Sequence, residues 1–79
     1  MAVVTLDTFY YDDYDEMWYP NGELTIRTRE ISYIDFEEGG DSRFGRIVYM
    51  KLNYLRDYEG YFILRSDGVH LHNEFLVDR

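Results

Sequence analysis

Residues 7–23 read DTFYYDDYDEMWYPNGE. Two signals overlap there. One is structural: Pro20-Asn21-Gly22 separates residues 14–19 from residues 23–28, two runs with strand character. Proline presets φ for the first central position of a turn, and Asn and Gly tolerate the positive φ that follows. Between β-prone runs this predicts a hairpin. The other signal is chemical. Asp7, Asp12, Asp13, Asp15, Glu16 and Glu23 are interleaved with Phe9, Tyr10, Tyr11, Tyr14, Trp18 and Tyr19. A segment this acidic is ill suited to a core, and Tyr and Trp are common interface anchors. The stretch therefore predicts a face presented to a partner.

Upstream, residues 2–11 alternate. Val4, Leu6, Thr8 and Tyr10 fall on one face of a strand, and Val3, Thr5, Asp7 and Phe9 on the other. Asp12 and Asp13 end it. Downstream, residues 23–28 put Leu24, Ile26 and Thr28 on one face and run on through residues 29–36. The apolar parity changes between Ile26 and Ile31, which predicts a bulge near Arg29-Glu30. Residues 37–45, EEGGDSRFG, read as a loop. Residues 46–55 alternate with Val48, Met50, Leu52 and Tyr54 on one face. Their β-branched and tyrosine content favours a strand. Phe44, Ile47, Val48, Lys51, Leu52 and Leu55 also fit a helical stripe. Residues 60–65 and 69–77 flank Ser66-Asp67-Gly68, which predicts a second hairpin.

The fold expected is mainly β: one domain over residues 1–79, with a small antiparallel sheet curled into a barrel or sandwich. The alternative is α+β with one helix at about residues 43–57. A chain of 79 residues buries only a little over ~60% of its unfolded surface. Its 19% aromatic content compensates, since each large ring buries ~150–250 Å². No cysteine is present, so no disulfide or thiolate metal site can staple the fold. A homodimer would add burial, and both monomer and homodimer stay open.

Net charge is −8. Residues 1–26 carry six acids and no base, whereas residues 27–79 carry ten acids and eight bases. This polarity disfavours direct nucleic-acid binding, which needs cationic patches. It equally disfavours an anionic membrane. It favours a basic protein partner reached by electrostatic steering, although solubility alone also accounts for an acidic surface. The N-terminus lacks the basic and apolar regions of a secretory signal, and no run approaches the ~20 apolar residues of a span. The expected location is the cytoplasm.

Catalytic and metal signatures are sparse. In a strand, His70, His72 and Glu74 would share one face and could approach a zinc ion. Any His-x-His strand shows this, and a solvated face is the preferred explanation. Asp12, Asp13, Asp15 and Glu16 could cage calcium, but the EF-hand spacing and its glycine are absent. There is no G-x-S-x-G, phosphate loop or cysteine nucleophile. The expectation is a non-enzyme without metal or cofactor. Its partner-binding residues are Asp12, Asp13, Tyr14, Asp15, Glu16, Trp18, Glu37, Glu38 and Asp41.

The short, cysteine-free acidic chain, with DDYDE at 12–16 and EEGGD at 37–41, resembles small phage-encoded inhibitors, anti-CRISPR proteins and other DNA mimics. The resemblance implies a protein that binds a Cas effector or another DNA-binding bacterial protein in the host cytoplasm. Its acids would meet Lys and Arg of the DNA channel, blocking target DNA by mimicry or steric occlusion. Eight basic residues, seven of them Arg, depart from the most extreme mimics. Two other functions fit the composition: an immunity protein for a nuclease toxin, and a structural or oligomerising β-domain.

Overall fold

The computed structural model describes residues 2–56 and 59–78. Five strands form a single antiparallel sheet: β1 (Val3–Asp12), β2 (Met17–Arg27), β3 (Ile31–Ser42), β4 (Gly45–Leu52) and β5 (Tyr61–Leu64). A 3-10 turn at Thr28–Glu30 links β2 to β3. Helix α1 (Arg65–Leu71) follows β5 and runs into a π-helical turn at His72–Leu76. The spatial order is β2-β1-β5-β4-β3. Two long hairpins are thus laced together by the four-residue β5.

The fold is mainly β and antiparallel, as expected, but the sheet is open, neither a closed barrel nor a sandwich. Its curl has a simple cause. β2 and β3 are the two edges, yet only Thr28–Glu30 connects them. Crossing four strand spacings in a flat sheet would take ~19 Å. Three linking residues reach at most ~14 Å. The edges must therefore approach each other, and Trp18 of β2 does reach Gly40 of β3, where a Cβ would lie 3.7 Å from its Nε1. The corner is pinned on both sides: the Thr28 amide donates to the Ala2 carbonyl at 2.9 Å, and the Asn53 amide to the Glu30 carbonyl at 2.8 Å. The parity change between Ile26 and Ile31 marks this passage from one edge to the other, and not a bulge in one continuous strand.

Pro20-Asn21-Gly22 does not turn the chain. It lies inside β2, opposite β1, where the register slips between Asp7 and Phe9. Asn21 and Gly22 together oppose Thr8, with Gly22 at φ +81, the left-handed conformation that a glycine bulge uses. The Thr8 hydroxyl lies 3.0 Å from the Asn21 carbonyl and 2.9 Å from that of Gly22, so its one proton serves the bulge. The positive φ expected from Asn-Gly is present; its use is a bulge because the chain reverses earlier, at residues 13–16.

Residues 45–52 form a strand, as alternation favoured, and of the helical alternative at 43–57 the described residues, 43–56, form no helix. β4 lies between β3 and β5, and from Ile47 to Leu52 every residue is buried. A central strand covered on both faces reads as a continuous run, which is why a helical stripe also fitted it. Residues 37–42, expected as loop, extend β3, and only Arg43 and Phe44 turn.

The expected hairpin at Ser66-Asp67-Gly68 is instead helix α1. Leu6, Ile26, Val48, Met50 and Ile63 make an aliphatic face that must be covered, and Leu71 of α1 is buried against it. Gly68 permits the approach. A Cβ there would lie 3.0 Å from Val48 Cγ2 and 3.4 Å from Ile34 Cγ2. Tertiary burial thus overrides a turn-like tripeptide.

Candidate functional site

The hairpin β1–β2 reverses through Asp13-Tyr14-Asp15-Glu16. Asp12 holds this turn: its Oδ1 accepts the Tyr14 amide at 2.8 Å and the Asp15 amide at 3.2 Å. That is the aspartate-closed turn in which a side chain replaces a backbone carbonyl. Glu16 closes the loop at φ +55. Asp15 accepts the Tyr19 hydroxyl at 2.5 Å. That hydrogen bond, with the nearby negative charge, raises the Tyr19 pKa above 10.0. Asp13, Tyr14, Asp15 and Glu16 are exposed, Tyr14 at 96%.

The second acidic run uses the same device. Asp35 Oδ1 accepts the Glu37 amide at 3.0 Å and the Glu38 amide at 3.3 Å. Here the β3–β4 register is interrupted between Asp35 and Gly40. The extra residues bulge outward, which leaves Glu37 and Glu38 exposed. Gly39, at φ +107, sits so close to β4 that a Cβ would collide with the Ile47 carbonyl.

The curl of the sheet brings the two runs together on the face opposite α1. Tyr11, Glu16, Trp18, Glu38, Asp41 and Phe62 line one concavity of about 530 Å³. Trp18 is its floor: it is 7% exposed and meets Tyr11 and Phe62 edge-to-face, with centroids 5.2 and 5.0 Å away. Glu16 comes from the β1–β2 turn and Glu38 from the β3 bulge, so rim carboxylates distant in sequence converge. Asp41 pairs with Arg46 at 3.3 Å, across exposed side chains. Such surface pairs contribute little stability.

A second concavity, about 490 Å³, adjoins the first and shares Glu38 and Phe62 with it. Tyr33, Tyr49, Tyr61 and Glu59 are among its other walls. The Tyr49 hydroxyl is buried without a hydrogen-bond partner among the described residues. Burial raises its pKa above 10.0, and Tyr33, Glu38 and Glu59 push the same way. Lys51 is also buried, with its ammonium donating to the Leu52 carbonyl at 2.7 Å and the Leu55 carbonyl at 2.5 Å.

Of the residues expected to bind a partner, Glu16, Trp18, Glu38 and Asp41 are assembled in one place. Asp12 is a structural brace. Asp13, Tyr14 and Asp15 project from the hairpin end, and Glu37 sits on the bulge beside Glu38. Sequence reasoning missed Phe62 and Tyr49, because strands β4 and β5 show no local sign of which face stays uncovered. His70 and His72 lie on the helical segment and not on a strand, so they do not share a face as expected; His72 packs edge-on to Phe36 at 5.7 Å. Among the described residues, no group of three His, Asp or Glu side chains is placed to hold a metal. No helix among them is long and apolar enough to cross a membrane.

No protein-family model, curated protein or solved structure matches the chain.

Proposed function

We propose that this protein is a small acidic inhibitor. Its carboxylate-rimmed, ring-floored end docks on a cationic nucleic-acid-binding site of a partner protein and excludes DNA from it. A bacterial defence complex of the CRISPR-Cas type is the partner class that the resemblance names. The observation that carries this reading is the convergence of Glu16, from the run at 12–16, with Glu38 and Asp41, from the run at 37–41, around one concavity. Within those runs only Asp41 is ion-paired among the described residues. Carboxylates left free in this way interact with a partner's Lys and Arg, raising the association rate and falling off with salt.

The test is a variant carrying Asp12→Asn, Asp13→Asn, Asp15→Asn and Glu16→Gln. Asn at position 12 keeps the oxygen that accepts the Tyr14 and Asp15 amides, so the turn is expected to survive and the circular dichroism spectrum to match wild type. Wild type and variant serve as bait in a bacterial lysate at low and high salt. Wild type should retain a basic protein at low salt, release it at high salt, and release it to added duplex DNA. A folded variant that captures the same protein equally well, at the same salt, overturns the proposal.

A further inference from the structure

We propose that the concavity floored by Trp18 is a subsite for an arginine side chain of an extended peptide segment. This deepens the cationic-partner reading of the same surface and rests on it.

Three rings, Tyr11, Trp18 and Phe62, meet at interplanar angles of 62° and 64°. Inclined rings about 5 Å apart offer both faces and edges to a guest. A planar, weakly hydrated guanidinium is the cation best suited to stacking on such faces. Glu16 and Glu38, which line the concavity with Trp18, have no ion pair among the described residues. They supply the acceptors that five guanidinium N–H donors need.

A second observation is independent of the charges. Trp18 is 7% exposed, yet its indole N–H has no hydrogen-bond partner among the described residues. The Nε1 atom faces Gly40, where even a Cβ would stand 3.7 Å off, and Gly40 lines the same concavity. That N–H is not sealed from solvent, so a peptide carbonyl entering the concavity can accept from it. Carboxylates that want a cation and an indole that wants a carbonyl together describe an arginine residue within a chain, and not a free amine.

The chain already shows one such contact on this side: the Arg43 guanidinium lies 5.0 Å from the Phe44 ring centroid. Lys51, a buried cation of β4, is committed to backbone carbonyls.

Trp18 is the sole tryptophan, so its emission reports directly on the subsite. The protein alone is titrated with N-acetyl-Ala-Arg-Ala-amide, with the citrulline peptide, which keeps the shape but not the charge, and with the lysine peptide. The arginine peptide should give a saturable change. The citrulline peptide should bind at least tenfold more weakly, and the lysine peptide severalfold more weakly. Glu38→Gln, at an exposed position, should keep the fold and weaken the arginine peptide by about fivefold, the loss of roughly 1 kcal/mol. Equal binding of citrulline, equal binding of lysine, unchanged affinity in Glu38→Gln, or no saturable signal each overturns the subsite. The lysate experiment fails or succeeds separately: arginine binding without a captured basic protein sinks the inhibitor reading alone. A captured protein without arginine binding sinks the subsite alone.

Discussion

On the face that carries α1, Val48, Met50, Ile63 and Leu71 are aliphatic and at most 1% exposed. On the opposite face Phe9, Trp18, Tyr49 and Phe62 are aromatic, and Phe62 is only partly buried. One face is closed by a helix; the other is closed only by the curl of its own sheet. Branched aliphatic side chains fill a layer between sheet and helix at high density. Rings bury much area while keeping a wet edge or hydroxyl, so they suit a floor that stays open to a ligand. In the proposed function, packing thus falls to one side of the sheet and docking to the other.

That division can be broken most directly by matched truncations of neighbours. Ile63→Ala, on the helix side, should cost about 3–4 kcal/mol by urea denaturation, as full burial of a large aliphatic group implies. Phe62→Ala, the next residue but on the open side, should cost roughly half as much because its ring is only partly buried. Equal losses would mean the open face is as much a core as the covered one.

A second pair sharpens the account of the β3 bulge. Gly39→Ala should destabilise by more than about 2 kcal/mol, since it combines positive φ with a collision against the Ile47 carbonyl. Gly22→Ala, also at positive φ but with no atom within 4 Å of the new Cβ, should cost about 1–2 kcal/mol. Thermal denaturation of the two variants checks the ranking.

Tyr49→Phe is expected to leave stability unchanged or raise it by up to about 1 kcal/mol. The hydroxyl it removes is buried without a partner among the described residues, and such a group costs more than it returns. A clear loss of stability would show that the hydroxyl is satisfied in solution.

The smallest effect concerns Asp67 in the first turn of α1. Its pKa is raised above the usual 3.8, first by burial and then by Asp7, with His70 opposing. Because the folded form binds the proton more tightly, lowering the pH through that raised pKa toward 3.8 stabilises the folded state. The stability of wild type relative to Asp67→Asn should therefore rise over that window as pH falls, and be flat above it. A wild-type advantage that grows with pH would reverse the sign.

Much of this was legible in the chain. Alternation in residues 2–11 and 46–55 marks β1 and β4, and the parity change between Ile26 and Ile31 marks the corner, although not its meaning. Both acidic runs stand out at once. What local rules misassigned are the two turn signals. Pro20-Asn21-Gly22 offers a positive φ that serves a bulge as well as a turn. Ser66-Asp67-Gly68 is as compatible with the first turn of a helix as with a hairpin. In each case the decision lay outside the tripeptide: in one, the turn that Asp12 holds at residues 13–16 reversed the hairpin first, and in the other an aliphatic sheet face still needed cover.

By itself the sequence determined a mainly β chain with an unbalanced negative charge and an aromatic N-terminal third, because periodicity and composition act residue by residue. Only the tertiary structure decided that β5 would join the two hairpins and that a three-residue corner would draw the edges together. It also decided that Glu16, Trp18 and Glu38 would line one concavity. Those outcomes depend on strand order and on curl, which arise from contacts between segments far apart in the chain and leave no mark on any one of them.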